Sequence, residues 1–556
     1  MRDGAIRLAP ISFLQSVSEM RVPGFVPLAL CIVASAQDPV AAPVIDVGNT
    51  KYQGFVDSSS NISVYLGIRY AAAPLGELRW QAPQSPPRFP ETQSAAIQPP
   101  ECPQASTGMS PTNPVPKSAL SRRGGDITFS EDCLFLNVYF PGTSIPKRKL
   151  PVVVWIHGGG YIALGAAVYD GRDLINGAGK EVVAVVIQYR LGVFGFLSGS
   201  KIKADGALNA GLLDQEFALK WVQNHIGEFG GDHNQVTIWG ESAGAGSVLQ
   251  HVIARDGQVH PPLFRAAITS SSFLPPQYLF NDPYPESVFN QVAAQSGCAN
   301  STDTLSCLRA TDVSILQAAN LAVNRAAFFG TFATVPVIDG EFITQRPTQA
   351  LRQKKINGRV FLAVTNRHEG DLFVNPNAIT SSAMDAAQYA SLLYPRIGSA
   401  QAALAGRLYA GVGSPVEQAN AIMGESVFIC PSYYLLNAFH GQSFKAEYAV
   451  PPALHGDDIA YYFPTSIGAP PRTFNNTAFA TSFAQSFFDV VRFMDPNRKF
   501  DKNNTTPLWN KFSLRDTEML FNRTDSGQPD IRPIRTDVKL LQRCAFWESV
   551  GDLTAQ

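Results

Sequence analysis

The chain has 556 residues, 45% of them hydrophobic and 16% charged, so it carries a large core and is neither disordered nor highly solvated. Its net charge is −1 and it holds no Lys/Arg block, which excludes nucleic acid and an anionic membrane surface as electrostatic partners. Domains of about 150 residues would make three or four of this length, a soft prior that the later pattern of the chain overrides.

The first element is an export signal. Phe25 to Val33 is apolar, Arg21 precedes it, and Ala34-Ser35-Ala36 supplies a small-residue cleavage pattern before Gln37. The run is too short to span a bilayer. Residues 1–36 are therefore expected to be removed, leaving 37–556 as a secreted chain. Met20-Arg21 is a more ordinary start, which would make residues 1–19 a gene-model extension. No later stretch reaches the length of a membrane helix, so no membrane anchor is expected. Of 7 cysteines, Cys31 falls in the signal, and the remaining six are an even number for an oxidising compartment. Cys298 and Cys307 are near enough to close a short loop. Sequons at Asn61, Asn300, Asn475, Asn503, Asn504 and Asn522 suit the same compartment.

Residues 43–70 read as short strands. A polar, Pro- and Ser-rich loop over 98–131 is bracketed by Cys102 and Cys133, and Leu134 to Tyr139 is a further strand. Leu150 to Ile156 (LPVVVWI) is continuously apolar, as a parallel strand buried on both faces must be. It runs into His157-Gly158-Gly159-Gly160-Tyr161, a loop whose N–H groups can approach a ligand without Cβ interference and can serve as an oxyanion hole. Glu181 to Tyr189 is a second buried strand. A helix capped by Asn209 is predicted to about His225.

Gln235 to Ile253 (QVTIWGESAGAGSVLQHVI) then reads as strand, tight turn and helix, with Gly240-Glu241-Ser242-Ala243-Gly244 matching G-x-S-x-G. A strand turning at once into a helix forces its central residue into a strained conformation, and the flanking glycines leave room for the crowded chain. The Ser242 hydroxyl then projects above the sheet, and the Ala243 N–H points at whatever it attacks. Strand and helix alternate from 150 to 253, so the units are right-handed βαβ on a mostly parallel sheet. Ala266 to Ser270 and Arg359 to Thr365 continue it. Helical stretches over 277–350 and 385–440 read as insertions around one core, because the candidate residues are spread across them.

A serine hydroxyl needs a base and a carboxylate to orient that base, and in this architecture the chain order is Ser, acid, His. Of 8 histidines, those at 157, 225 and 233 precede the serine, and His251 lies on the elbow helix. His260, His368, His440 and His455 remain. His455 follows the strand Ser443 to Val450, and Gly456 frees its loop to aim the ring. For the acid, the strand ending at Thr365 leads into Asn366-Arg367-His368-Glu369-Gly370-Asp371, past the end of a parallel strand where sites collect. Glu369 and Asp371 both fit. The histidines show no metal-ligand spacing, so neither metal nor organic cofactor is expected.

Together these motifs resemble the type-B carboxylesterase/lipase family, which includes cholinesterases and secreted fungal lipases, from about residue 43 to 548. The resemblance implies an α/β-hydrolase fold, a mostly parallel central sheet flanked by helices with helical insertions, and a single catalytic domain. It puts the nucleophile on Ser242, the acid on Glu369 through the Glu369-Gly370 pair, and the base on His455 through His455-Gly456. The oxyanion donors fall on Gly159, Gly160 and Ala243, and Glu241 adds a negative field near the imidazolium. Ser130-Glu131-Asp132-Cys133-Leu134 looks like the family's S-E-D-C-L and implies a Cys102–Cys133 bridge. Cys298–Cys307 resembles its short second bridge, and Cys430 with Cys544 the cholinesterase third.

The departures are informative. Cys102 to Cys133 contains no Trp to bind a choline cation. The loop is polar, with Arg122-Arg123-Gly124-Gly125-Asp126, where family lipases have an apolar lid. His368 stands where the family often has an acidic residue. The expected activity is hydrolysis of small-molecule esters of short- or medium-chain or aromatic acids. A lipase on long-chain acylglycerols and a non-catalytic binding protein on the same fold are the alternatives.

Overall fold

The computed structural model describes residues 41–110, 129–379 and 384–556. The expected export signal and the Arg122–Asp126 segment lie outside the described residues. Among the described residues thirteen strands form one sheet. In chain order they are β1 (Ala41–Asp46), β2 (Lys51–Asp57), β3 (Ile62–Arg69), β4 (Gln93–Ser94), β5 (Phe135–Pro141), β6 (Leu150–Ile156), β7 (Val183–Ile187), β8 (Gly231–Glu241), β9 (Ala266–Ser270), β10 (Val360–Asn366), β11 (Ser443–Tyr448), β12 (Thr517–Arg523) and β13 (Pro529–Arg535). Their spatial order is β1-β2-β3-β5-β7-β6-β8-β9-β10-β11-β12-β13, with β4 beside β2. From β7 through β12 neighbours run parallel, and both flanks are antiparallel apart from the short β4, which runs parallel to β2.

Strands β6 and β7 are apolar throughout because both faces are covered. Along β6 the two-residue period divides the load. Val152, Val154 and Ile156 join Leu212, Leu219, Val248 and Leu249, contributed by the helices Ala210–His225 and Ala243–Ile253. Val153 and Trp155 face the other way, toward Phe483, Phe487 and Phe488 of the helix Thr477–Phe493. On that face Trp155 and Trp239 meet edge-on at 5.6 Å, and Phe487 stacks on Trp239 at 5.5 Å. Such aromatic pairs add about 0.5–1.5 kcal/mol each beyond their buried area. The two insertions are helical, with Pro283–Gln295, Thr304–Ala310 and Val313–Arg325 in the first and four helices between Ala386 and Ala438 in the second.

One sequence expectation needs correction. The predicted helix starts at Ala210, but Asn209 does not cap it with its side chain. Its backbone is left-handed, at φ 54° and ψ 37°. Its amide instead donates to Val337 O at 2.8 Å and Asp339 Oδ2 at 2.6 Å, and accepts from Val337 N at 2.9 Å. A buried amide with three tertiary partners gains more from them than from a local cap.

Three disulfides form, Cys102–Cys133, Cys298–Cys307 and Cys430–Cys544. The last spans 114 residues, and closing a loop that long removes unfolded-state entropy worth about 4–5 kcal/mol in the chain-entropy account.

The sequons separate by burial. Asn61, Asn300, Asn475 and Asn503 are exposed, and Asn522 is half-buried. Asn504 is only 3% exposed, and its Nδ2 donates inward to Asp489 Oδ2 at 3.2 Å. A glycan there would have to break that contact and leave the Asp489 carboxylate buried without it. Of the adjacent pair, Asn503 is therefore expected to carry sugar and Asn504 none. Enzymatic deglycosylation in heavy-oxygen water followed by peptide mapping reads this directly, and a heavy Asp at 504 would contradict it.

Candidate functional site

The C-terminal ends of β6, β8, β10 and β11 open on one edge of the sheet, and each leads into a candidate residue. Register aligns these ends, with Ile156 opposite Gly240, Glu241 opposite Ser270 and Asn366 opposite Tyr448.

Ser242 follows β8 directly and precedes the helix Ala243–Ile253. Its backbone sits at φ 55° and ψ −123°, a region that costs a residue with a Cβ about 1–3 kcal/mol. The turn is held by Ser242 N donating to Ser270 O at 3.0 Å and Gly246 N donating to Ser242 O at 2.8 Å. The glycines are steric necessities. A Cβ on Gly240 would lie 2.4 Å from the Gly244 carbonyl, and one on Gly244 would lie 2.0 Å from Ile156 O. The Ala243 N–H stands in the first turn of the helix, where backbone donors lack intrahelical partners.

His455 meets Glu369 on the far side. His455 Nδ1 and Glu369 Oε2 are 2.6 Å apart. The other carboxylate oxygen, Oε1, accepts from Asn366 N and from Ser271 Oγ, both at 2.7 Å. Glu369 is 1% exposed, and these contacts fix its plane. Asn366 Nδ2 donates to Asp458 Oδ1 at 2.9 Å, and Tyr462 Oη to Asp458 Oδ2 at 2.7 Å. Asp371 lies two residues further on and is half-buried, so of the two carboxylates the sequence left open it is Glu369 that meets the imidazole. The second ring nitrogen, Nε2, faces Glu241 Oε1 at 3.2 Å. Two aromatic rings border the imidazole, Phe428 at 4.6 Å and Phe373 at 5.0 Å between centroids.

Burial alone would depress the His455 imidazole, but the charge of Glu369 and its hydrogen bond outweigh it and raise the pKa above the ordinary 6.5. Glu241 would add to this if ionised. Burial pushes its carboxyl up to about 8, so below that pH it is largely protonated, and among the groups that raise His455 Glu369 comes first. A raised pKa keeps the imidazole charged, and unable to accept a proton, until a higher pH. The acid limb of kcat/KM is therefore expected above pH 6.5, with rate lost as pH falls through it. Glu241→Gln, which imitates the neutral acid, should displace that limb by less than about half a unit. A limb that moves down by a full unit in this variant would show Glu241 to be ionised.

Gly159 and Gly160 occupy the loop after β6 at φ 92° and 64°. A Cβ at Gly159 would lie 2.2 Å from Ala163 O, and one at Gly160 only 2.0 Å from the Phe332 ring. At Gly158 it would reach Glu241 Oε2 at 2.5 Å, so the glycine run packs against the elbow. His157 before them is fully buried and pushed down to about 4, hence neutral. It stacks on Tyr189 at 4.4 Å, and its carbonyl accepts from Tyr189 Oη at 2.8 Å. Among the described residues no group of three or more His, Cys, Asp or Glu is placed to hold a metal ion. No described helix is long and apolar enough to cross a membrane.

A cavity of about 300 Å³ adjoins the site. Phe273, Phe328, Phe332, Met423, Val427 and Phe428 form much of its wall, and none of its lining residues is acidic or basic. Phe332 packs against Gly160 and Phe428 against His455, so two rings of the cavity wall also touch the glycine loop and the imidazole. Ser271, Asn366, Asp458 and the two phenylalanines at His455 carry no local signal of a role, because their partners are distant in the chain.

A profile of the carboxylesterase family matches residues 41–547. The chain is 33% identical over 351 residues to secreted lipase 1 of Botryotinia fuckeliana (strain B05.10), covering 61% of each chain. It is 35% identical over 346 residues to liver carboxylesterase 1 of Oryctolagus cuniculus, covering 60% of this chain and 59% of that one. These matches thus span about three-fifths of either relative. The crystal structure of Aspergillus niger EstA superposes with a TM-score of 0.81 at 28% identity, covering 93% of this chain and 99% of that chain.

Proposed function

Because the chain belongs to the carboxylesterase family, we propose that it hydrolyses carboxylic esters through an acyl-enzyme on Ser242. The observation that carries this reading is the His455–Glu369 pair at 2.6 Å, with the other ring nitrogen 3.2 Å from Glu241, the residue before a serine held in a strained strand-to-helix turn. His455 Nε2 turns from Glu241 to Ser242 Oγ and takes its proton as the oxygen adds to the ester carbonyl. Glu369 holds the proton on Nδ1 and stabilises the imidazolium. The tetrahedral oxyanion is held by the N–H groups of Gly159, Gly160 and Ala243, which need no reorganisation as charge develops. The C–O bond to the alcohol breaks, and His455 gives its proton to the departing oxygen. Water, deprotonated in turn by His455, then releases the acid and restores Ser242.

Residues 37–556 are read as one secreted catalytic domain. The three disulfides and the likeness to a secreted lipase support that compartment. The apolar cavity supports a neutral acyl group, and its volume is at the small end for ligand pockets. The polar Cys102–Cys133 loop has little apolar area to expose at an oil surface. Short- or medium-chain esters, or esters of aromatic acids, are expected to be preferred, with no jump in rate across the solubility limit. Choline esters gain nothing from their charge, because that loop holds no Trp to face it. Kinetics on tributyrin across its solubility limit, beside triolein and a choline ester, test this. Sharp interfacial activation with triolein preferred would favour a lipase instead.

A further inference from the structure

The second insertion is not uniformly α-helical where it passes the site. Pro415–Gly424 is α, Glu425–Ile429 is a π turn, and Cys430–Ala438 is α again. A π turn is rare and poorer in hydrogen-bond geometry than α, so it persists where outside contacts hold it. Here they do. Glu425 accepts two hydrogen bonds from Arg543, both at 2.7 Å, and one from Tyr409 Oη at 2.6 Å. Cys430, at the other end of the turn, is bridged to Cys544, the residue after Arg543 on the helix Val538–Ser549. Between these anchors Ser426 O accepts from Gln556 Nε2 at 2.9 Å, and Val427 O from Leu274 N at 2.9 Å.

What this pinned turn presents is Phe428. Its ring lies 4.6 Å from His455, 5.0 Å from Phe373 and 5.4 Å from Phe273. Phe428 also lines the cavity, whereas Phe373 borders the imidazole without lining it. One side chain is thus both a wall of the cavity and a wall of the histidine. In this structure Nε2 lies 3.2 Å from Glu241 Oε1, and the ring must face Ser242 to receive the serine proton.

We propose that Phe428 is a positioning residue through which an acyl group filling the cavity holds His455 in the orientation that faces Ser242. The proposal rests on the acyl-enzyme reading above. An acyl chain long enough to pack on Phe428 confines the ring, and the ring confines the imidazole. An acetyl group leaves that space unfilled and the imidazole less confined. The benefit arises in the reacting complex and not only in the bound ground state, so acyl length should raise kcat and not merely lower KM.

The test uses the full chain and p-nitrophenyl acetate, butyrate, hexanoate and octanoate, with active sites counted by a phosphonate titrant. Wild-type kcat is expected to rise about tenfold from acetate to the best chain. Phe428→Ala should lose kcat by about threefold on acetate and by more than about tenfold on the best chain, flattening the series. Phe428→Leu, which keeps much of the volume, should recover part of the rise, and it carries the test if the alanine variant does not fold. Phe373→Leu should lower kcat by the same factor at every length. A flat wild-type kcat with only KM changing overturns the proposal. So does a Phe428 variant whose kcat falls uniformly or keeps the wild-type rise. Ser242→Ala is run beside them: if it retains turnover, it is the acyl-enzyme reading that fails.

Discussion

Ser242→Ala is expected to leave a folded protein whose ester turnover is lower by on the order of 10⁵–10⁶. The fold should survive because nothing that shapes the turn is lost. The backbone bonds from Ser242 N to Ser270 O and from Gly246 N to Ser242 O remain. The alanine Cβ replaces one that already tolerates φ 55°. What disappears is the oxygen that, on the mechanism proposed above, forms the acyl-enzyme. His455, Glu369 and the glycine loop remain and can still polarise a bound ester, which is why some rate above water persists. The measurement is kcat/KM on purified variant, beside mass spectrometry after a phosphonate ester. Near-normal turnover, or a phosphonate adduct on another residue, would displace Ser242 from the mechanism.

Glu369→Gln is expected to cost about a thousandfold, for a reason visible in the contacts of its two oxygens. Oε1 accepts from Asn366 N and Ser271 Oγ, while Oε2 faces His455 Nδ1. A carboxylate can accept on both sides and a carboxamide cannot. If the glutamine oxygen stays with Asn366 and Ser271, its NH₂ faces Nδ1 and demands a bare nitrogen there. The ring proton then moves to Nε2, where it blocks removal of the serine proton. If the amide flips, its NH₂ meets the Asn366 N–H. Asp371→Asn, outside that contact, should stay within about tenfold of wild type. Should the Asp371 variant be the dead one, the acid has been assigned to the wrong residue.

Sequence carried much of this because some constraints are local. Leu150–Ile156 and Ala266–Ser270 are predicted residue for residue, the first because a strand buried on both faces is an unbroken apolar run. G-x-S-x-G is legible because Gly240 answers to a clash with Gly244 within the same turn, although Gly244 itself is kept bare by Ile156 of the neighbouring strand. Choosing Glu369 over Asp371 needed resemblance, as both follow the same strand. Asn209 misled because Val337 and Asp339 lie 128 and 130 residues away. Ser271 and Asp458 reach the acid network over 98 and 92 residues, distances no local pattern encodes. β13, PDIRPIR, has two prolines and no apolar alternation, and it is a strand because β12 lies beside it.

Those prolines bear on whether one molecule's sheet can be extended by another's. Strands β8 to β13 join the sheet in chain order, each beside the one before. A sheet built this way ends in a row of unpaired backbone groups that a second molecule could extend. At one margin Pro529 and Pro533 remove two N–H donors from β13, and Arg532 and Arg535 add charge. At the other, Pro43 and a register shift between Ala41 and Val44 interrupt β1. A thirteen-stranded sheet thus closes with two margins poor in donors or broken in register, and neither is a template on which further copies can grow.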